Sequence, residues 1–230
     1  MILLVNTMFL ELDSYPRLCA PFGMVVCGPT MSGKSEFVFK LIREKEQLID
    51  KPIDRVVYLY GEWQAGFEGL KDVEFHKGID SVVSDATFFD SSQLTVLILD
   101  DLGQELSGHP KAAQLFTQGI HHKNICVIFI IQNLYKQGKA MRDIHLNCQY
   151  LVLFRNCRDV NQIKVLGRQM GMSHLSEVYE KVTSEAYQPL VIDMRPNTPN
   201  YLRLRSHIFP SDLTRIYVKD SLPCPKTLGN

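Results

Sequence analysis

None of the six cysteines stands in a Cys-x-x-Cys pair, which argues against a zinc ribbon. No apolar run reaches the about 18 residues needed to cross a bilayer. The Met1–Val5 run lacks a basic n-region and is broken by Asn6, so a secretory leader is not expected. Internal repeats and low-complexity segments are missing, and so is net charge: 25 Lys and Arg balance 25 Asp and Glu. The balance is uneven along the chain, with 10 basic against 17 acidic residues in positions 1–120 and 15 against 8 in positions 121–230. A basic second half points to a polyanionic partner there, with a solvated mixed surface as the plain alternative.

Hydrophobic residues make up 45% of the 230-residue chain and charged residues 22%, enough to bury a sizeable core in one α/β domain. Strand-like runs at 22–27, 55–60, 94–99, 125–131 and 150–154 alternate with helical patterns. Residues 34–49 put Phe37, Val38, Leu41, Ile42, Leu48 and Ile49 on one stripe. Pro110 opens a second pattern that carries Leu115 and Ile120. Val160, Ile163, Leu166 and Met170 mark a third, ahead of Gly171. This alternation predicts a mostly parallel sheet sandwiched by helices, with four nearly continuous apolar runs as its central strands. Cys27 and Cys126 fall inside such runs and read as core residues, which fits a reducing intracellular compartment. Prolines at 189, 196, 199, 210, 223 and 225 predict a core over 1–186 and an irregular extension over 187–230, with a possible edge strand at Leu202–Arg205.

Gly28-Pro29-Thr30-Met31-Ser32-Gly33-Lys34-Ser35 matches the phosphate-binding pattern G-x-x-x-x-G-K-[ST], directly after an apolar strand and before an amphipathic helix. Glycines at 28 and 33 allow a tight turn whose backbone amides face a phosphate at a helix N-terminus. Lys34 then serves the β- and γ-phosphates of a nucleoside triphosphate, and Ser35 serves Mg²⁺. Leu94–Leu99 ends in Asp100-Asp101, a Walker B arrangement. Asp100 is expected to hold Mg²⁺ through water, opposite Ser35, and Asp101 to polarise the attacking water. Ile125–Ile131 ends at Gln132-Asn133, where a polar amide at the tip of a neighbouring strand serves the γ-phosphate or the water. His121 and His122 beside Lys123 read as a helix-end cap, not a metal site. Tyr60 and Trp63 after the second strand read as packing residues, with stacking on a base as the alternative.

Together these residues resemble a DNA-packaging ATPase of the FtsK/HerA superfamily, and more narrowly the poxvirus-type packaging ATPases of Polinton/Maverick elements and adintoviruses. The resemblance is carried by residues 22–35, by Leu97-Ile98-Leu99-Asp100-Asp101-Leu102, and most specifically by positions 121–159. That last stretch includes Ile130-Ile131-Gln132-Asn133-Leu134-Tyr135, Gly138-Lys139-Ala140-Met141-Arg142-Asp143-Ile144 and Leu153-Phe154-Arg155-Asn156-Cys157-Arg158-Asp159. It implies ATP hydrolysis with Mg²⁺ by a homo-oligomeric ring, pentameric or hexameric, that moves double-stranded DNA into a capsid. Capsid or portal-vertex proteins would be partners, at an assembly site in the host nucleus or cytoplasm. Such a ring needs an arginine to neutralise transition-state charge, for which Arg142, Arg155 and Arg158 are the candidates. Segments 61–69 and 134–142, the latter with Lys136, Lys139 and Arg142, are candidate phosphate-backbone contacts. One departure is Asp101 where many members carry Glu, one methylene longer. A P-loop nucleoside kinase of the thymidine kinase kind owns a similar glycine loop, and a nucleotide-binding switch in a viral replication or assembly complex is the other alternative.

Overall fold

The computed structural model describes residues 2–6, 9–12, 16–80, 82, 85, 87–102, 120–134, 144, 146–158 and 160–218. The strands are β1 (Ile2–Asn6), β2 (Phe9–Leu12), β3 (Gly23–Cys27), β4 (Arg55–Tyr60), β5 (Glu74–Lys77), β6 (Thr95–Asp100), β7 (Ile125–Ile131), β8 (Tyr150–Leu153), β9 (Leu190–Asp193), β10 (Leu204–Ser206) and β11 (Thr214–Tyr217). They form one sheet in the order β1-β2-β11-β10-β9-β8-β3-β7-β6-β4-β5. The six strands from β8 to β5 run parallel, and β9, β10, β11, β2 and β1 extend the sheet antiparallel.

The apolar runs found in the sequence are this parallel block. Every residue of β3, β6, β7 and β8 is buried, as strands covered on both faces require. Alternate residues serve two cores. Val25, Leu97, Val127 and Leu151 face one side, and Met24, Ile98, Ile128 and Val152 the other. Helices α1 (Lys34–Arg43) and α2 (Lys45–Leu48) cover the second side, where Phe37, Val38, Leu41, Ile42, Leu48 and Ile49 are all buried, as their stripe predicts. A short turn, α3 (Ile120–His122), precedes β7. Helix α4 (Val160–Gln169) and helix α5 (Leu175–Thr183) pack on the first side through Ile163, Leu166, Leu175 and Val178. Gly171, at φ 68°, stops the chain of α4 in the left-handed conformation that glycine takes at no steric cost.

Residues 187–218 differ from expectation. Three short strands interrupt an otherwise irregular path, and β10 lies between β9 and β11 rather than at an edge. The prolines sit in the connections, where no ladder N–H is needed. The N-terminal pair β1–β2, the strand β5 and helix α5 have no counterpart in the sequence reading. The helical pattern after Pro110 up to residue 119, and Lys136, Lys139 and Arg142, lie outside the described residues. Among the described residues no helix is long and apolar enough to cross a membrane.

Candidate functional site

The loop 28–35 leaves β3 between two neighbours and is tied to both. The Gly28 N–H donates to the Ile131 carbonyl of β7 at 3.2 Å, and the Phe154 N–H donates to the Cys27 carbonyl at 2.8 Å. A Cβ on Gly28 would fall 2.6 Å from Phe154 Cβ, so only glycine lets β8 and the loop approach this closely. Gly33 stands at φ 99° as the N-cap of α1, and no side chain caps that helix. Its first-turn amides therefore point, with the positive end of the helix dipole, into the loop. The Ser32 hydroxyl is buried there without a partner. Lys34 Nζ folds back to donate to the Pro29 carbonyl at 2.8 Å. Burial lowers the Lys34 pKa, while the carboxylates of Asp100 and Asp101 oppose the shift. An uncapped helix start, an orphaned hydroxyl and a half-buried ammonium together fit a bound polyphosphate.

Asp100 and Asp101 end β6, with β7 between them and β3. Asp100 is buried, and its Oδ2 accepts hydrogen bonds from the Tyr58 hydroxyl at 2.8 Å and the Gln64 amide at 3.0 Å. Burial raises its pKa, and those two donors together with Lys34 pull it back. Tyr58 is itself pushed up by burial and by the Asp100 charge, so it remains a hydroxyl donor. At Asp101 the backbone turns left-handed, φ 56°, which sends its carboxylate to solvent while Leu102 drops into the core. Aspartate tolerates that turn better than most residues. Gln132 and Asn133 emerge exposed from the tip of β7, midway between the glycine loop and the acidic pair.

Sequence reasoning thus names residues that the sheet brings to one edge: Lys34, Ser35, Asp100, Asp101 and Gln132. Arg155 and Arg158 are exposed at the exit of β8, on the opposite flank of β3. That exit is fixed by Tyr179, whose hydroxyl donates to the Phe154 carbonyl at 2.9 Å and accepts the Asn156 N–H at 2.8 Å. Tyr58, Gln64 and Tyr179 were not anticipated. The one available signal was the parity of Tyr58 on β4, which pairs with Ile98 and so shares a face with Asp100. Trp63, read as a packing residue, touches Tyr60, Phe67 and Phe75 edge-on but stays 54% exposed.

Among solved structures the chain is similar to the genome packaging NTPase B204 of Sulfolobus turreted icosahedral virus 2 in complex with AMPPCP. The TM-score is 0.53 at 14% identity, covering 86% of this chain and 97% of that one. The fold is that of the P-loop NTPases. B204 from Sulfolobus turreted icosahedral virus, a DNA-packaging ATPase, gives a TM-score of 0.53 at 13% identity over 87% of this chain and 98% of that one. The cytoplasmic domain of the type VII secretion ATPase EccC from Thermomonospora curvata gives 0.53 at 14% identity over 85% of this chain but only 25% of its own length. No protein-family model matches the sequence. No curated protein matches it. The architecture is thus that of the P-loop NTPases, with the candidate site residues at the tips of β3, β6 and β7.

Proposed function

We propose that this protein is a Mg²⁺-dependent ATPase that drives double-stranded DNA into a capsid as a homo-oligomeric ring, of the poxvirus-type lineage found in Polinton/Maverick elements. The observation that carries the reading is the acidic pair at the tip of β6, one strand away from the glycine loop, with an exposed Gln132 on the strand between. A single carboxylate suffices to position a metal, and a second one presented to solvent beside it suits activation of water. The B204 structures support the reading because nearly their whole length is covered by this chain.

In this mechanism Gly28 to Gly33 and the first amides of α1 hold the phosphates, and Lys34 leaves the Pro29 carbonyl to meet the β- and γ-phosphate charge. Ser35 and Asp100 are the residues that would hold Mg²⁺, which neutralises charge between those phosphates when bound. Asp101 accepts the proton of the attacking water and Gln132 orients that water. Arg155 or Arg158, exposed at the exit of β8, reaches a nucleotide held by the adjacent subunit. DNA contacts in this motor are to phosphate and indifferent to sequence.

The test is the rate of phosphate release with and without double-stranded DNA. Stimulation by duplex is expected, and the Lys34→Ala variant loses nucleotide binding or turnover. Asp101→Asn keeps nucleotide binding and loses turnover by about 100-fold or more. Unchanged turnover in Asp101→Asn removes that residue from the base role. Transfer of the phosphoryl group to thymidine instead of water replaces the motor with a nucleoside kinase.

A further inference from the structure

Beside the glycine loop, a cavity of about 840 Å³ opens between α1 and the segments 186–191 and 207–212. Its size is that of a pocket for a small organic ligand. Gly33 and Lys34 of the glycine loop line it together with Tyr187, Gln188, His207 and Phe209. The location is informative. Asp100, Asp101 and Gln132 stand on the β6–β7 flank of β3, whereas this cavity stands on the β9–β10 flank. A triphosphate seated on the loop with its γ-phosphate toward the acidic pair extends its other end away from β6. That end carries the ribose and base.

Tyr187 is the residue positioned to receive them. Its backbone lies at φ 60°, a left-handed conformation that a bulky side chain rarely adopts, and its ring is 73% exposed. A Cβ on Gly33 would come within 3.2 Å of Tyr187 Cδ1, so the ring lies against the phosphate loop itself. An exposed aromatic held in an unfavourable backbone conformation at a cavity mouth is the kind of outlier from which a function can be inferred. The opposite wall combines an aromatic ring with polar groups. Phe209 packs on Phe37 with ring centroids 5.2 Å apart, and Lys40 Nζ sits 4.1 Å from the Phe209 centroid. His207 is fixed between the Ser206 hydroxyl at 2.8 Å and Glu185 Oε1 at 3.4 Å.

We propose that Tyr187 is the stacking platform for the nucleobase of the bound nucleotide, and that the cavity between α1 and residues 186–212 is its base-and-ribose pocket. The inference rests on the phosphate-binding reading of loop 28–35. Stacking on the tyrosine ring reads the flat face of the base, and purines, with the larger face, are preferred over pyrimidines. Burial of the ring by the base also offsets the cost of the left-handed turn.

The experiment is calorimetric titration of the full chain with Mg²⁺-ATP and, separately, with inorganic tripolyphosphate and Mg²⁺. In the unsubstituted protein ATP binds more tightly than tripolyphosphate. Tyr187→Ala is expected to weaken ATP on the order of tenfold and to leave tripolyphosphate unchanged, while Tyr187→Phe retains ATP affinity. Tyr187→Gly, which relieves the left-handed strain as well as removing the ring, is expected to behave as Tyr187→Ala does. Unchanged ATP affinity in both truncations, or an equal loss for tripolyphosphate, overturns the platform. Failure of the phosphate loop looks different: the unsubstituted protein then binds neither ligand, or Lys34→Ala leaves both unaffected.

Discussion

Asp100 and Asp101 are neighbours with opposite surroundings, and that contrast has consequences for stability. Asp100 is 5% exposed, and burial followed by the adjacent Asp101 charge raises its pKa despite the bonds from Tyr58 and Gln64. A carboxyl whose folded pKa lies above its unfolded value stabilises the fold below the ordinary carboxylate range and loses that contribution as pH rises through the folded value. At neutral pH an ionised Asp100 is therefore a cost carried by the protein without metal. Asp100→Asn is expected to raise the melting temperature at pH 7 by a few degrees, corresponding to about 1 kcal/mol, and to abolish Mg²⁺-dependent turnover. The thermal advantage should vanish below about pH 4, where the carboxyl is protonated in both states. Melts at pH 7 and at pH 4 check this, and a destabilised variant at pH 7 refutes it. The acidic pair itself was legible because two carboxylates after an apolar run are rare in a strand. Its partners Tyr58 and Gln64 were not, since they lie 42 and 36 residues upstream and reach Asp100 only through the register of β4 on β6.

Elements were legible in proportion to their burial. The strands β3, β6, β7 and β8 are apolar throughout, and α1 and α4 carry a stripe at helical spacing, so sequence and structure agree on them to within a few residues. β9, β10 and β11 hold three or four residues each and include buried polar groups such as Asp193, Arg205, Ser206 and Thr214, which erase the apolar signature. The segment after β4, a candidate phosphate-backbone contact, has a second link that the sequence did not show: its Gln64 donates to Asp100, while Trp63 one residue earlier packs edge-on against Tyr60, Phe67 and Phe75. A cation at Asp100 competes with the Gln64 amide for the same carboxylate. Trp63 is the only tryptophan in the chain, so its emission reports on that segment alone. Adding Mg²⁺ with a non-hydrolysable ATP analogue should shift the emission of the unsubstituted protein. In Gln64→Ala the metal-free spectrum should already be displaced and respond less. An unchanged spectrum in the unsubstituted protein would show that the segment does not follow the metal site.

At the scale of the whole molecule, the parallel half carries the phosphate loop and acidic pair, and the antiparallel half supplies the wall of the adjoining cavity. What holds the antiparallel half in place is largely polar. Asp193, at the end of β9, receives Arg205 at 2.8 Å and Arg195 at 2.7 Å, and Arg205 also donates to the Pro16 carbonyl at 3.3 Å. Arg203 donates to the carbonyls of Asp193 and Arg195 at 3.0 and 2.9 Å. Burial by itself would raise the Asp193 pKa, but Arg195 and Arg205 overcome it and hold the carboxyl below its ordinary value. With Arg205 only 1% exposed, removing it leaves the buried Asp193 carboxylate to Arg195 alone and forfeits a charge-assisted hydrogen bond, which costs about 1.5–3 kcal/mol. Arg205→Met, close in length and apolar, is therefore expected to lower the unfolding free energy by that amount at pH 7. The deficit has a pH signature that a simple packing defect lacks. The unsubstituted protein keeps the Asp193 contribution above the ordinary carboxylate range and loses it as pH falls through the depressed folded value. In the variant the carboxyl is desolvated with less compensating charge, so protonation relieves it and the gap narrows on acidification. Urea unfolding followed from pH 7 down to below about pH 3 traces the narrowing, and a deficit independent of pH would assign the loss to packing instead of charge.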